Sequence, residues 1–316
     1  MRALDWNGRE LSLDPAYPTP AASDLLSLLR VRLAGICSTD LQILRGYMGF
    51  RGVLGHEMVG EVVEGPRELV SKRVVSEINF ACRRCEFCAQ GLGRHCRDRR
   101  VMGILGADGS FAEYVAVPTA NLHLVPDGVS DEEAVFTEPL AAAFEILEQV
   151  QVGVGDDVIV MGDGKLGLLC AQVLRLTGAR VSVVGKHAKK LALLRRLLIQ
   201  THLLPDWKPR QADVVVEATG SKEGLKMAME AVRPRGTVVL KSTVAESHSL
   251  SLAPLVINEV TVVGSRCGPF PPALQALAEK SITVTPLIEK VYSLGEGIEA
   301  VAHASRLGTL KVLLRA

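Results

Sequence analysis

Residues 158–167, VIVMGDGKLG, constrain the fold of this chain more than any other stretch. Four apolar residues read as a short buried strand, and Gly162-Asp163-Gly164-Lys165-Leu166-Gly167 follows at once. Residues 166–177 then carry apolar side chains at helical spacing. In such a strand–turn–helix, Gly162 permits the tight turn and Gly164 lets the backbone approach a pyrophosphate. Gly167 lets the helix pack on the strand. The amides at the helix start, Lys165 and Leu166, then face the phosphates. Glycine is frequent here, 29 of 316 residues, so the motif alone carries little weight. A second apolar strand at 180–184, at the distance a βαβ unit needs, makes it a dinucleotide-binding turn.

Around that turn the chain changes character once. Up to residue 126, short strands (25–34, 53–63, 73–78 and 111–126) are punctuated by glycine and proline and predict a mostly β lobe. A helix with Pro139 in its first turn starts at Glu138. From 158 to 264 strands and helices alternate, which builds a parallel doubly wound sheet. The last stretch, 271–316, holds one more helix and an apolar strand at 310–314, assigned back to the β lobe. The expected class is α/β: a β-rich domain over 1–138, a Rossmann dinucleotide-binding domain over 139–268, and a return to the first domain over 269–316.

With 48% hydrophobic and 22% charged residues the composition is that of an ordinary soluble protein. A net charge of +1 gives no electrostatic case for nucleic acid or an acidic membrane. The arginine-rich run 94–100 is short and lacks interleaved aromatics. No signal-like start and no apolar run of about 18 residues is found, so a cytoplasmic, reducing compartment is expected. There, seven cysteines favour metal or catalysis over disulfides.

Cys82, Cys85, Cys88 and Cys96 have the spacing C-x2-C-x2-C-x7-C. Four thiolates on one short loop can close a tetrahedron around an ion, as structural zinc requires. The basic neighbours Arg83, Arg84 and Arg97 keep the loop exposed. An iron–sulfur loop commonly has a tighter fourth step followed by proline; Arg97 follows Cys96 here, so zinc fits better. A second set is scattered: Cys37 in the turn GICSTD, then His56 and Glu57 in GHE. Thiolate, imidazole and carboxylate are the mixed donors of a catalytic zinc that keeps a position for substrate. Adjacent residues in a regular strand point to opposite faces. Either the backbone turns at His56, or Glu57 ligates only part of the time. Asp40 is placed to accept the second ring N–H of His56.

GICSTD, GHEMVGEVVE, the four-cysteine loop, Glu138-Pro139-Leu140 and the glycine turn occur in the order found in the zinc-dependent medium-chain dehydrogenase/reductase superfamily. The chain resembles that superfamily over nearly its whole length. Glu138 before Pro139-Leu140 places it nearer the sorbitol, threonine and glucose dehydrogenases than the liver-type alcohol dehydrogenases. The resemblance implies a GroES-like catalytic domain and a catalytic zinc among Cys37, His56, Glu57 and Glu138. It implies hydride transfer between an alcohol or polyol and a nicotinamide cofactor, with Thr39 as the relay hydroxyl. It further implies a homodimer or homotetramer acting on a small molecule. Many relatives carry a histidine five residues after the zinc cysteine; this chain has Gln42, which cannot titrate, so the relay would end through ribose and water. Two other readings stand beside this one, a non-catalytic NADP(H)-binding protein and a physiological carbonyl reductase.

Cofactor choice is expected at the end of the second Rossmann strand, where NAD-preferring folds usually place an acid. Residues 183–190, VVGKHAKK, contain none. Gly185 leaves room, and Lys186, His187 and Lys190 can neutralise a 2′-phosphate, so NADP(H) is favoured over NAD(H). Ala218, Thr219 and Gly220 are expected near the adenosine side, and Ser265 and Arg266 near the nicotinamide amide. Lys241 and Lys311 are weaker cofactor candidates. Cys170 reads as core and Cys267 as an interdomain thiol. His95, His123 and His248 read as solvated or capping residues.

Overall fold

The run LSLLRVRLAG forms the strand Leu26–Gly35, which buries Ser27, Leu29, Val31 and Leu33 and turns Arg30 and Arg32 outward. That period of two marks a strand with one face on a core. It is the centre of a seven-stranded sheet ordered Leu122–Leu124, Arg73–Ser76, Glu57–Glu64, Leu26–Gly35, Lys311–Arg315, Ile288–Ser293; Tyr114–Pro118 also pairs with the central strand. Glu57 lies opposite Gly35 on one side, and Leu313 lies opposite Gly35 on the other. The Ile36 amide donates to the Val312 carbonyl at 3.0 Å. The chain therefore enters Cys37 between the start of one strand and a strand from the C-terminal end of the sequence.

The structure, a computed structural model, describes residues 1–243 and 249–316, which fall into two units. The first comprises Met1–Glu138, Ala273–Ala278 and Leu287–Ala316; the second comprises Pro139–Pro272 and Glu279–Pro286. Phe111, Phe136, Leu4, Leu29, Leu33, Ile36 and Leu54 are fully buried in the first unit.

In the second unit, six parallel strands take the order Gln200–Leu203, Arg180–Gly185, Asp157–Met161, Ala212–Glu217, Val232–Leu240, Thr261–Gly264. This is the doubly wound order, whose ligand crevice lies at the carboxyl ends of the strands. The continuous apolar runs DVIVM and ADVVVE are central, as strands covered on both faces must be. The sequence reading gave no strand at Gln200–Leu203: QTHL is a half-exposed edge strand with no apolar alternation to betray it. The Val232–Leu240 strand also starts ahead of its apolar run, at Val232 before RPRG. Among the described residues, no helix is long and apolar enough to cross a membrane.

Candidate active site and metal centres

Three donors meet in the first unit. The metal-ligating atoms of Cys37, His56 and Glu57 all lie within 4.8 Å of one another. Gly55 takes φ +96°, a left-handed conformation open to glycine, and the strand Glu57–Glu64 begins only after His56. The backbone thus turns at the GHE triplet, which frees His56 and Glu57 from the opposite-face rule of a strand. A Cβ on Gly55 would meet the Phe111 ring, so the turn is also packed too closely for a side chain.

Cys37 caps the helix Ser38–Ile43, and its amide donates to Asp40 Oδ2 at 2.8 Å. The other carboxylate oxygen, Oδ1, stands 3.2 Å from His56 Nδ1. Asp40 and His56 are buried, and at these two atoms the contact is an ion pair without hydrogen-bond alignment. Burial opposes charging of His56, but the neighbouring Asp40 carboxylate and Cys37 sulfur outweigh it and hold the imidazole pKa well above its ordinary value. This pocket therefore attracts positive charge. A buried carboxylate behind a ligating imidazole is how metal sites fix ring orientation, and the cluster fits a divalent cation by its donor chemistry. Asp40→Asn should weaken zinc affinity at this site by about 10–100-fold, as read by competition with a chromophoric chelator.

Thr39 Oγ1 lies 3.8 Å from Cys37 Sγ. Glu138 occupies the first turn of the helix Thr137–Gln149 and is not part of the three-residue group. Lys311 corrects its cofactor assignment: it is 1% exposed, forms an ion pair with Glu57, and sits 5.5 Å from the Phe136 ring centroid. Glycine at 35 is required here, because a Cβ would collide with the Glu57 carboxylate. Breaking such a buried pair by removing one partner costs about 3–5 kcal/mol.

Cys82, Cys85, Cys88 and Cys96 form the second group within 4.8 Å. Cys85 Sγ is 3.5 Å from Cys88 Sγ and 3.8 Å from Cys96 Sγ. Tetrahedral zinc with Zn–S near 2.3 Å sets its sulfurs about 3.8 Å apart, so the loop fits that ion. The Cys82 amide donates to Cys96 Sγ at 3.3 Å. The backbone N–H of Cys88 draws the Cys85 thiol down to about 6, whereas burial and the Cys85 sulfur push Cys88 up to about 11.

In the second unit, Gly162 (φ +116°) leaves no room for a Cβ beside the Ala218 carbonyl, and Gly167 packs on Gly162. A Cβ on Gly164 would meet nothing within 4 Å, and Gly164 begins the helix Lys165–Arg175 without a capping side chain. An open approach to uncapped helix amides fits a pyrophosphate. Leu166 lies in the first turn of that helix. Thr219 spends its amide and hydroxyl on Glu217 Oε1, at 2.8 and 2.6 Å, and the Gly220 amide donates to Ser242 Oγ at 2.8 Å. Lys241 is a tether rather than a ligand-facing cation. Its buried ammonium donates to Ala142 O, Ser265 Oγ and Arg266 O at 2.6, 3.0 and 3.1 Å. Lys186 is exposed and Lys190 half-buried.

The strand Arg180–Gly185 carries no acid, but one reaches its end from elsewhere. The Asp163 carboxylate accepts from the His187 amide at 2.6 Å and lies 3.0 Å from His187 Nδ1. Cys170 is buried, and burial pushes its thiol up to about 11, as a core residue requires. Cys267 is half-buried and His95 exposed. His123 Nε2 contacts Glu77 Oε1 at 3.0 Å; His248 lies outside the described residues.

Comparison with known proteins shows the family. Residues 24–127 match the family described as alcohol dehydrogenase GroES-like domain, and residues 166–280 match zinc-binding dehydrogenase. The chain is 31% identical to a sorbitol dehydrogenase of Halalkalibacterium halodurans, over 94% of this chain and 93% of that protein. A structure described as a zinc-binding dehydrogenase from Sinorhizobium meliloti, bound to NADP, superposes with TM-score 0.91 at 28% identity, covering 100% and 99% of the two chains. A protein from Escherichia coli described as a short chain alcohol dehydrogenase, complexed with NADH, gives TM-score 0.90 at 26% identity, covering 100% and 99%.

Proposed function

Since the chain belongs to the zinc-binding alcohol and polyol dehydrogenase family, with its GroES-like and Rossmann-type parts, we propose that it oxidises a polyol or secondary alcohol with NADP(H) as preferred partner. The observation that carries this reading is the group of half-buried Cys37 with buried His56 and Glu57, backed by Asp40. A non-catalytic binding protein would have no use for such a group. In our assignment zinc occupies this group and, separately, the four-cysteine loop, with Glu138 supplying a further donor on the family pattern.

Bound zinc would acidify a substrate hydroxyl and bound nicotinamide would take the hydride. The chain's own residues do the rest. Asp40 holds His56 in one orientation while anchoring the Cys37 amide. Lys311 balances the Glu57 charge, the two side chains being 1% exposed. Thr39, beside Cys37, receives the substrate proton and passes it on; Gln42 has no proton to exchange, so ribose and water complete the relay.

Two of the relatives are named for sugar alcohols, sorbitol and D-arabitol phosphate. An oxidation screen of polyols and secondary alcohols, run with NADP and NAD in parallel, tests the proposal; no reduction of either cofactor by any of them would refute it. A 2′-phosphate carries close to two negative charges at neutral pH, and Lys186, Lys190 and His187 surround the strand end. We expect a higher kcat/KM with NADP than with NAD. Lys186→Ala should cut that ratio by about tenfold, and added salt should shrink it. An unmoved ratio would reduce the basic turn to a solvated helix start.

A further inference from the structure

We propose that Asp163, inside the glycine turn, is the positioning residue through which this chain reads the 2′ substituent of the adenosine ribose, acting by holding the His187 imidazole. The inference rests on the NADP(H) reading given above.

The strand Arg180–Gly185 ends in glycine where an acid commonly accepts from ribose hydroxyls. The space beside that glycine is filled nonetheless. A Cβ built on Gly185 would stand 2.6 Å from Asp163 Cβ and 2.6 Å from its Oδ2. The carboxylate that the strand lacks thus arrives from the neighbouring turn. It is 6% exposed and contacts one residue twice, at the His187 amide (2.6 Å) and at ring Nδ1 (3.0 and 3.1 Å).

Two consequences follow from that pairing. The carboxylate is engaged by the His187 amide and ring, so in this reading Asp163 does not act as the repelling acid of an NAD-type site. With Nδ1 engaged, the free nitrogen Nε2 is the one left for a ligand, on a side chain that is 45% exposed. A 2′-phosphate bound at Nε2 would hold a proton there between itself and the ring, with the Asp163 carboxylate at Nδ1 balancing the charge. Lys186 and Lys190, from the same turn and the helix Ala188–Arg195, add positive charge next to His187 in the chain. Phosphate, ring and carboxylate would then alternate in sign, and the hydrogen bond to the phosphate would be charge-assisted. The same contacts show why Gly185→Asp is a poor probe of cofactor choice: its side chain would be driven into Asp163.

Calorimetric binding of two fragments, 2′-phospho-ADP-ribose and ADP-ribose, tests this without any turnover. The wild-type Kd ratio scores the NADP(H) reading alone: tighter binding of ADP-ribose would refute that reading. The change in ratio scores Asp163. Asp163→Asn keeps an acceptor for the His187 amide but removes the charge behind the ring. It should lower the preference for the phosphorylated fragment about tenfold and leave the ADP-ribose Kd within about twofold. His187→Ala, at an exposed ring, should lower the ratio equally, and adding Asp163→Asn to it should do nothing more. A ratio unmoved or raised by Asp163→Asn overturns the proposal, as does a further fall in the His187→Ala background. Should Asp163→Asn fail to fold, an unmoved ratio in His187→Ala alone overturns it.

Discussion

Replacing Cys37 with serine should lower turnover by about a thousandfold or more and remove one zinc per chain, while the melting temperature moves by no more than a few degrees. The separation of the two effects follows from local structure. Cys37 is the N-cap of the helix Ser38–Ile43, a position where serine is among the preferred residues. Its amide bond to Asp40 is a backbone bond and survives the change. The site thus keeps its shape and loses its softest donor. A hydroxyl binds zinc far more weakly than a thiolate, so the cation loses the ligand that holds it against water. Metal analysis with activity and calorimetric melting on one preparation checks this; a variant that retains full turnover removes Cys37 from the site.

Cys85→Ser should have the opposite balance: loss of the other zinc, about 3–5 kcal/mol of stability and a melting temperature lower by roughly 10 °C. The loop has little else to hold it. Arg83, Arg84, Glu86, Ala89, Gln90, Gly91 and Leu92 are exposed, and Cys96 is the one buried cysteine of the four. Its regular structure is one four-residue helix, Glu86–Ala89, and a three-residue turn, Gly93–His95. With no apolar core of its own, the loop would draw its order from a bound ion, and metal binding would then be folding free energy. A melting curve that matches wild type would show that the loop stands without metal.

Much of this molecule was legible in the sequence because the signals are local. The glycine turn carries its own strand and helix, and four cysteines within fifteen residues declare their cluster. The Gly-Ile-Cys-Ser-Thr-Asp turn and Gly-His-Glu offered the right donor types but gained their weight from family resemblance, since 18 residues lie between Cys37 and His56. What stayed hidden depends on long-range register. Lys311 reaches Glu57 across 254 residues because the C-terminal strand pairs with the end of Leu26–Gly35. The sequence signal was a lone lysine at the head of an apolar strand, which looks the same as a strand-end surface charge. Asp163 was hidden differently. In the sequence it stands between two motif glycines, and only the parallel pairing of Asp157–Met161 with Arg180–Gly185 brings it to the neighbouring strand end. Lys241 shows the reverse error: a cation near the strand ends looks like a ligand partner until three protein acceptors are found around it.

The central claim is that two separate zinc sites divide the work, one for the fold and one for the reaction. Graded reloading of metal-stripped protein, with zinc content, melting temperature and alcohol-dependent cofactor reduction read on each sample, tests it most directly. The account predicts saturation at two zinc ions per chain, with the stability gain following occupancy of the four-cysteine loop and turnover following occupancy of the Cys37 site. Full turnover with a single zinc in the four-cysteine loop, or with no zinc at all, would contradict it.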